Sequence, residues 1–277
     1  MSKHNAAAKL QFRWRNGSGQ WNEAAILSVR TSDMAEQRQQ SGGSRSAFAW
    51  GVHLLTVAGV VLALLSLLAI ERQQWREALL WLFAALVIDG IDGTLARAAK
   101  VRERVPRIDG EALDLVIDYL AYVFVPVLFI WRGGYLPEPL QLPLAGAILV
   151  SSLYVFARRD MKTEDGYFRG FPGLWNVIAF YFFVTAPSAA VSAAVVGVLV
   201  IMTFAPVHVV HPFRVRDYGP ALAALSLLWG ASTAALLVPV TSFEHWSGLL
   251  MVSLASAAVL IGMGLLRTVR GPRPEAQ

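Results

Sequence analysis

The stretch ALLWLFAALVIDGIDGTLA, residues 78-96, decides the fold, because it is apolar enough for a bilayer and yet carries Asp89 and Asp92 near its end. A second stretch of the same kind, ALDLVIDYLAYVFVPVLFIW at 112-131, starts with its carboxylates, Asp114 and Asp118, and is apolar beyond them. A helix that crosses a hydrocarbon core needs about 20 residues, and both stretches have that length. Ionisable groups inside a span cost several kcal/mol unless they face a cavity or a partner, so these four acids are functional candidates.

Working outward, residues 47-70, 140-157, 170-213, 218-243 and 245-266 contain no Asp, Glu, Lys or Arg. The run 170-213 is twice the length of one span and has Pro187 near its middle, which reads as two spans and a tight turn. The composition agrees: 56% hydrophobic and 16% charged is too apolar for a soluble domain. The expectation is an all-α polytopic membrane protein with about eight transmembrane helices, near 48-70, 77-97, 109-131, 140-158, 173-186, 190-208, 219-239 and 246-266. Barrel strands are excluded by the lack of alternation, and lipid leaves helices as the other way to satisfy the backbone.

Assigning the loops alternately to two sides puts 21 of the 24 Lys and Arg on one side, leaving Arg72, Arg76 and Arg132 on the other. By the positive-inside rule both termini are cytoplasmic, and so are the helix ends that carry the four acids. The pI of about 9.7 then reflects orientation and anionic headgroups or phosphates, since no nucleic-acid motif accompanies it. The chain has no cysteine, which excludes disulfides and thiol chemistry. Residues 1-46 are polar and lack periodicity, so a disordered or interfacial N-terminal segment is expected, followed by a transmembrane catalytic domain at 47-267 and a tail at 268-277. Met34 opens a short polar leader just before the first helix and is a candidate start.

Asp89 and Asp92 lie three residues apart, and Asp114 and Asp118 four apart, so each pair shares one helix face. The two helices are joined by a short loop, which lets both pairs converge just below the membrane surface. Arginines inside the bundle can neutralise one or two isolated acids, but four at one depth call for hard divalent cations with oxygen ligands, Mg²⁺ or Mn²⁺. Gly90, Gly93, Ala96 and Gly110 leave room for a flat base or a diphosphate near the backbone. Arg97, Lys100, Arg102, Arg104 and Arg107 follow on the connecting loop and suit a phosphorylated head, although orientation alone also accounts for them.

The segment from Asp89 to Arg97, DGIDGTLAR, followed by Gly110, Asp114 and Asp118, resembles the signature of the CDP-alcohol phosphotransferase family, D-x-x-D-G-x-x-A-R, a spacer and G-x-x-x-D-x-x-x-D. The twelve residues between Arg97 and Gly110 exceed the usual spacer and resemble the bacterial branch that uses choline. Residues 49-53 (AWGVH), 170-176 (GFPGLWN) and 211-216 (HPFRVR) resemble that branch too. The resemblance implies that Asp89, Asp92, Asp114 and Asp118 hold two divalent ions, Mn²⁺ or Mg²⁺, against the pyrophosphate of CDP-diacylglycerol. It further implies that Gly93, Ala96, Arg97 and Gly110 bind that substrate, that Asp118 is the catalytic base on choline, and that the chain forms a homodimer. The products implied are phosphatidylcholine and CMP. Serine, glycerol phosphate or an inositol phosphate as acceptor is the first rival, with Arg158, Arg159 and Arg214 as a cationic pocket. A divalent-cation transporter is the second, disfavoured because both helices turn apolar beyond Asp89 and Asp118. A quaternary ammonium has no N-H to donate and is recognised by aromatic faces. Tyr122, four residues past Asp118, is the first candidate for choline, with Trp175, Asn176 and Tyr181 as a second wall.

Overall fold

The computed structural model describes residues 48–272 apart from 106, 213, 216 and 240–242. The segment 1-46, Met34 and the end of the tail lie outside the described residues.

Eight helices run through the described residues: α1 (Phe48–Glu71), α2 (Trp75–Ala99), α3 (Gly110–Arg132), α4 (Glu138–Ala157), α5 (Trp175–Thr185), α6 (Ala189–Phe204), α7 (Pro220–Leu237) and α8 (Phe243–Arg270). All but α5 and α6 are long and apolar enough to cross a membrane, and the chain is a multi-pass membrane protein. Helix α5 packs on α2 and α3, α4 on α6, and α7 on both α2 and α8. Leu54, Val150, Ile201 and Leu227 are exposed on the outside of the bundle, where lipid replaces water as the solvent. Between helices, polar groups satisfy one another. The Tyr181 hydroxyl accepts the Trp229 indole N–H at 2.9 Å and meets the Ser253 hydroxyl at 3.0 Å, tying α5, α7 and α8 together.

Two boundaries differ from expectation. The span expected over 173-186 is helical over only 11 residues, Trp175–Thr185, a rise of about 17 Å against a core of about 30 Å. The preceding chain, 170–174, is irregular yet largely buried, and such backbone survives at membrane depth because protein satisfies it. Gly170 donates to the Val207 carbonyl at 2.7 Å and Phe171 to Met202 at 3.1 Å. Gly170, at φ +81°, sits where a Cβ would strike the Thr203 carbonyl. The span expected over 190-208 stops at Phe204, because Pro206 drives Ala205 into an extended conformation with ψ 149°. The chain then forms a two-stranded antiparallel ribbon, β1 (Phe168–Arg169) with β2 (His208–Val209), at sites read as loop and helix end from sequence.

The spacer between α2 and α3 is not slack. It contains one helical turn, Val101–Arg104, whose Val101 and Val105 pack with Ala99 against Ala49 and Val52 of α1.

Candidate active site

The acids reach one place because two helix ends are shaped to bring them there. Helix α2 stays regular through Asp89 and Asp92 and closes at Lys100, which takes the left-handed conformation at φ 49°. Helix α3 is started by Asp109, whose side chain accepts the N–H groups of Glu111 and Ala112, each at 3.1 Å. Asp114 and Asp118 follow one and two turns later.

Directly after Asp118 the helix widens into a π turn, Tyr119–Phe124. Pro126 accounts for it. It has no N–H for the carbonyl of Tyr122, and its ring crowds that carbonyl, so the backbone opens by one residue instead of kinking. Within this turn Tyr122 is buried and donates its hydroxyl to Asp89 Oδ2 at 2.6 Å.

Oxygens of Asp89, Asp114 and Asp118 all lie within 4.8 Å of one another, and the three could hold a metal ion. Three hard anionic donors at that separation, unpaired with any arginine or lysine within 4 Å among the described residues, fit a divalent cation with oxygen ligands. Asp92, 4% exposed, stands next to them, as does Thr56 of α1, whose hydroxyl donates to the Val52 carbonyl at 3.3 Å. The four acids, with Thr56, Gly59 and Tyr122, line one small hollow. Gly59 lets α1 come close to α3, since a Cβ there would lie 2.7 Å from Ile117.

The other residues singled out in the sequence fall at different distances from this hollow. At Gly93 an added Cβ would meet only the flexible end of Arg97, at 3.6 Å, so protein packing does not require glycine there and the space is open to a ligand. Gly110 is tighter, with His53 Cε1 3.3 Å from the position of a Cβ. His53 is buried, and its Nε2 has no hydrogen-bond partner among the described residues. Arg97 is exposed and donates to Thr94 at 3.1 Å. Trp175 is fully buried with its indole N–H on Ser152 at 2.8 Å, and Asn176 faces a separate apolar hollow with Trp229 and Thr233. Tyr181 belongs to the α5, α7 and α8 network. Of the four aromatic and amide side chains assigned to choline, Tyr122 alone lines the carboxylate hollow.

Lys162 was missed by sequence reading. It lies between α4 and α5, far from any motif, yet the charges of Asp118, Asp114 and Asp89 act on it. Burial first, then the Arg214 charge, holds its ammonium below the ordinary lysine range. His211 is pushed down to about 3, mainly by burial and then by Lys162 and Arg214, and so is neutral at physiological pH.

A membrane bundle with four acids on two adjoining helix ends is the framework expected of a phosphoryl-group transferase that works with divalent ions. Residues 52–259 match the family described as CDP-alcohol phosphatidyltransferase, and the chain belongs to it. The chain is 46% identical over 224 residues to the phosphatidylcholine synthase of Pseudomonas aeruginosa, covering 81% of this chain and 93% of that protein. It is 43% identical over 185 residues to the phosphatidylcholine synthase of Mesorhizobium japonicum, covering 67% and 69%. The protein of the same name from Borreliella burgdorferi is 37% identical over 169 residues, 61% of this chain and 72% of that protein.

Proposed function

We propose that the chain transfers the phosphatidyl group of CDP-diacylglycerol to choline, giving phosphatidylcholine and CMP. The observation that carries the chemistry is the convergence of Asp89, Asp114 and Asp118 within 4.8 Å, with Asp92 alongside. The alcohol rests on the relatives just named and on the length of the spacer, here folded against α1.

The chain's own groups then take these roles. Asp89, Asp92, Asp114 and Asp118 hold Mg²⁺ or Mn²⁺, which when bound supplies Lewis-acid stabilisation of the phosphoryl oxygens. Tyr122 fixes the Asp89 carboxylate by its 2.6 Å hydrogen bond. Asp118 takes the proton of the choline hydroxyl as that oxygen bonds to the phosphorus of the phosphatidyl group. The bond from phosphorus to the CMP oxygen breaks, and CMP leaves with the electron pair. Gly93, Ala96, Arg97 and Gly110 give the cytidine and its phosphates room and positive charge, while the Tyr122 ring offers one face to the quaternary ammonium. Helix α5, which carries Trp175, Asn176 and Tyr181, packs against the turn that holds Tyr122. The distribution of Lys and Arg supports termini and site in the cytoplasm, the bacterial relatives support an inner-membrane location, and the family resemblance supports a homodimer.

The test is expression in a host that lacks phosphatidylcholine, fed labelled choline. The wild-type chain should produce labelled phosphatidylcholine, and the Asn variants of Asp89, Asp92, Asp114 and Asp118 should lose nearly all of it while still inserting in the membrane. Label-free lipid from the wild type, or full synthesis by these variants, would refute the assignment.

A further inference from the structure

Lys162 pairs with Phe168 across an antiparallel bridge, and β1, starting at that residue, pairs with β2. The ribbon is pinned by α8. Arg267 donates to Asp165 at 2.6 Å and lies 5.7 Å from the centre of the Tyr167 ring, while the His208 N–H donates to the Thr268 hydroxyl at 2.7 Å. Gly264 lets the α8 backbone meet the His208 carbonyl, a contact that any Cβ would block. Side chains carried on this ribbon are therefore placed in advance of any ligand.

Two of them, Lys162 and Arg214, are cations with no carboxylate within 4 Å among the described residues. The Lys162 ammonium lies 5.3 Å from the centre of the Phe168 ring, and His211 stacks on the same ring at 5.0 Å with 11° between planes. Arg214 follows in the next turn, its N–H on the His211 carbonyl at 3.2 Å. Arg158 and Arg169 both pair with Asp160, and Arg267 with Asp165. Lys162 and Arg214 make no ion pair among the described residues. They act on each other, and Lys162 also faces the three clustered carboxylates. Two like charges held together are unfavourable, and an anion between them relieves the repulsion.

We propose that Lys162 and Arg214 form the phosphate-binding pair of the site and take the diphosphate of the cytidine donor. The proposal rests on the donor assigned above. A choline acceptor is cationic and has no phosphate to offer, so the pair serves the donor side. A phosphorylated alcohol is the other possible source of the group, and the test separates the two.

The experiment uses the purified full chain in detergent with Mg²⁺ and measures binding of CDP, CMP and glycerol 3-phosphate. The wild type should bind CDP at least about tenfold tighter than CMP, as a charge-assisted contact to the second phosphate requires. Lys162→Gln should remove that preference while leaving CMP affinity unchanged, Arg214→Gln should reduce it, and Lys162→Arg should restore most of it. In turnover, Lys162→Gln should raise KM for CDP-diacylglycerol about tenfold and leave KM for choline alone. Wild-type CDP preference in Lys162→Gln would overturn the proposal, and so would a loss confined to glycerol 3-phosphate. Since CDP binding needs no alcohol, a wild type that binds CDP as stated but ignores choline would count against the choline assignment and leave the pair intact.

Discussion

At the scale of single residues, Tyr122 does two jobs that one substitution can separate. Its hydroxyl holds Asp89 at 2.6 Å, and its ring lines the hollow. A hydrogen bond to a charged group contributes about 1.5–3 kcal/mol, so Tyr122→Phe should lower kcat roughly tenfold or more. The same variant should raise the Mn²⁺ concentration needed for half-maximal rate, with KM for choline little changed. Tyr122→Ala should add a severalfold rise in KM for choline, because the ring is lost as well. Metal titrations and choline saturation curves on both variants check this, and identical behaviour would reduce Tyr122 to its hydroxyl. The spacing of Tyr122 from Asp118 was readable in the sequence. Its bond to Asp89 was not, since it depends on the π turn that Pro126 imposes and on how α2 sits against α3. Trp175, Asn176 and Tyr181 show the opposite limit: their residue types suited a cage, but only packing reveals that their polar atoms are engaged elsewhere.

Among the elements, the ribbon is the part that sequence reading passed over, and the physical reason is its length. Two strands of two residues have no periodicity to detect, and they are held by partners about forty residues apart in the chain. What stabilises them is largely α8, through Arg267, Thr268 and Gly264. Breaking the Asp165 to Arg267 pair, which is partly buried, should cost about 2 kcal/mol. Arg267→Ala should therefore lower the unfolding temperature in detergent and also weaken CDP binding, although Arg267 belongs to the latch and not to the carboxylate hollow. Thermal unfolding and CDP titration of this variant check the two effects together. A lower melting point with unchanged CDP affinity would show that the ribbon keeps its shape without α8. The regular helices, by contrast, were legible because uncharged runs of twenty or more residues in α1, α7 and α8 leave few alternatives. The ends of α5 and α6 were misjudged because Gly170 and Pro206 act locally within a run whose hydropathy never falls.

For the molecule as a whole, the four carboxylates lining one hollow and the basic ribbon whose Lys162 feels their charge make one candidate reaction centre in the helical bundle. The central claim is that this centre joins choline to the phosphatidyl group of CDP-diacylglycerol. The most direct measurement places the purified chain in micelles of CDP-diacylglycerol with Mn²⁺ and labelled choline, and follows CMP and phosphatidylcholine together. The account predicts equimolar CMP and labelled phosphatidylcholine, formed only when choline is present and abolished by chelator or by Asp118→Asn. Release of CMP without choline, or preferential use of serine or glycerol phosphate in its place, would contradict it.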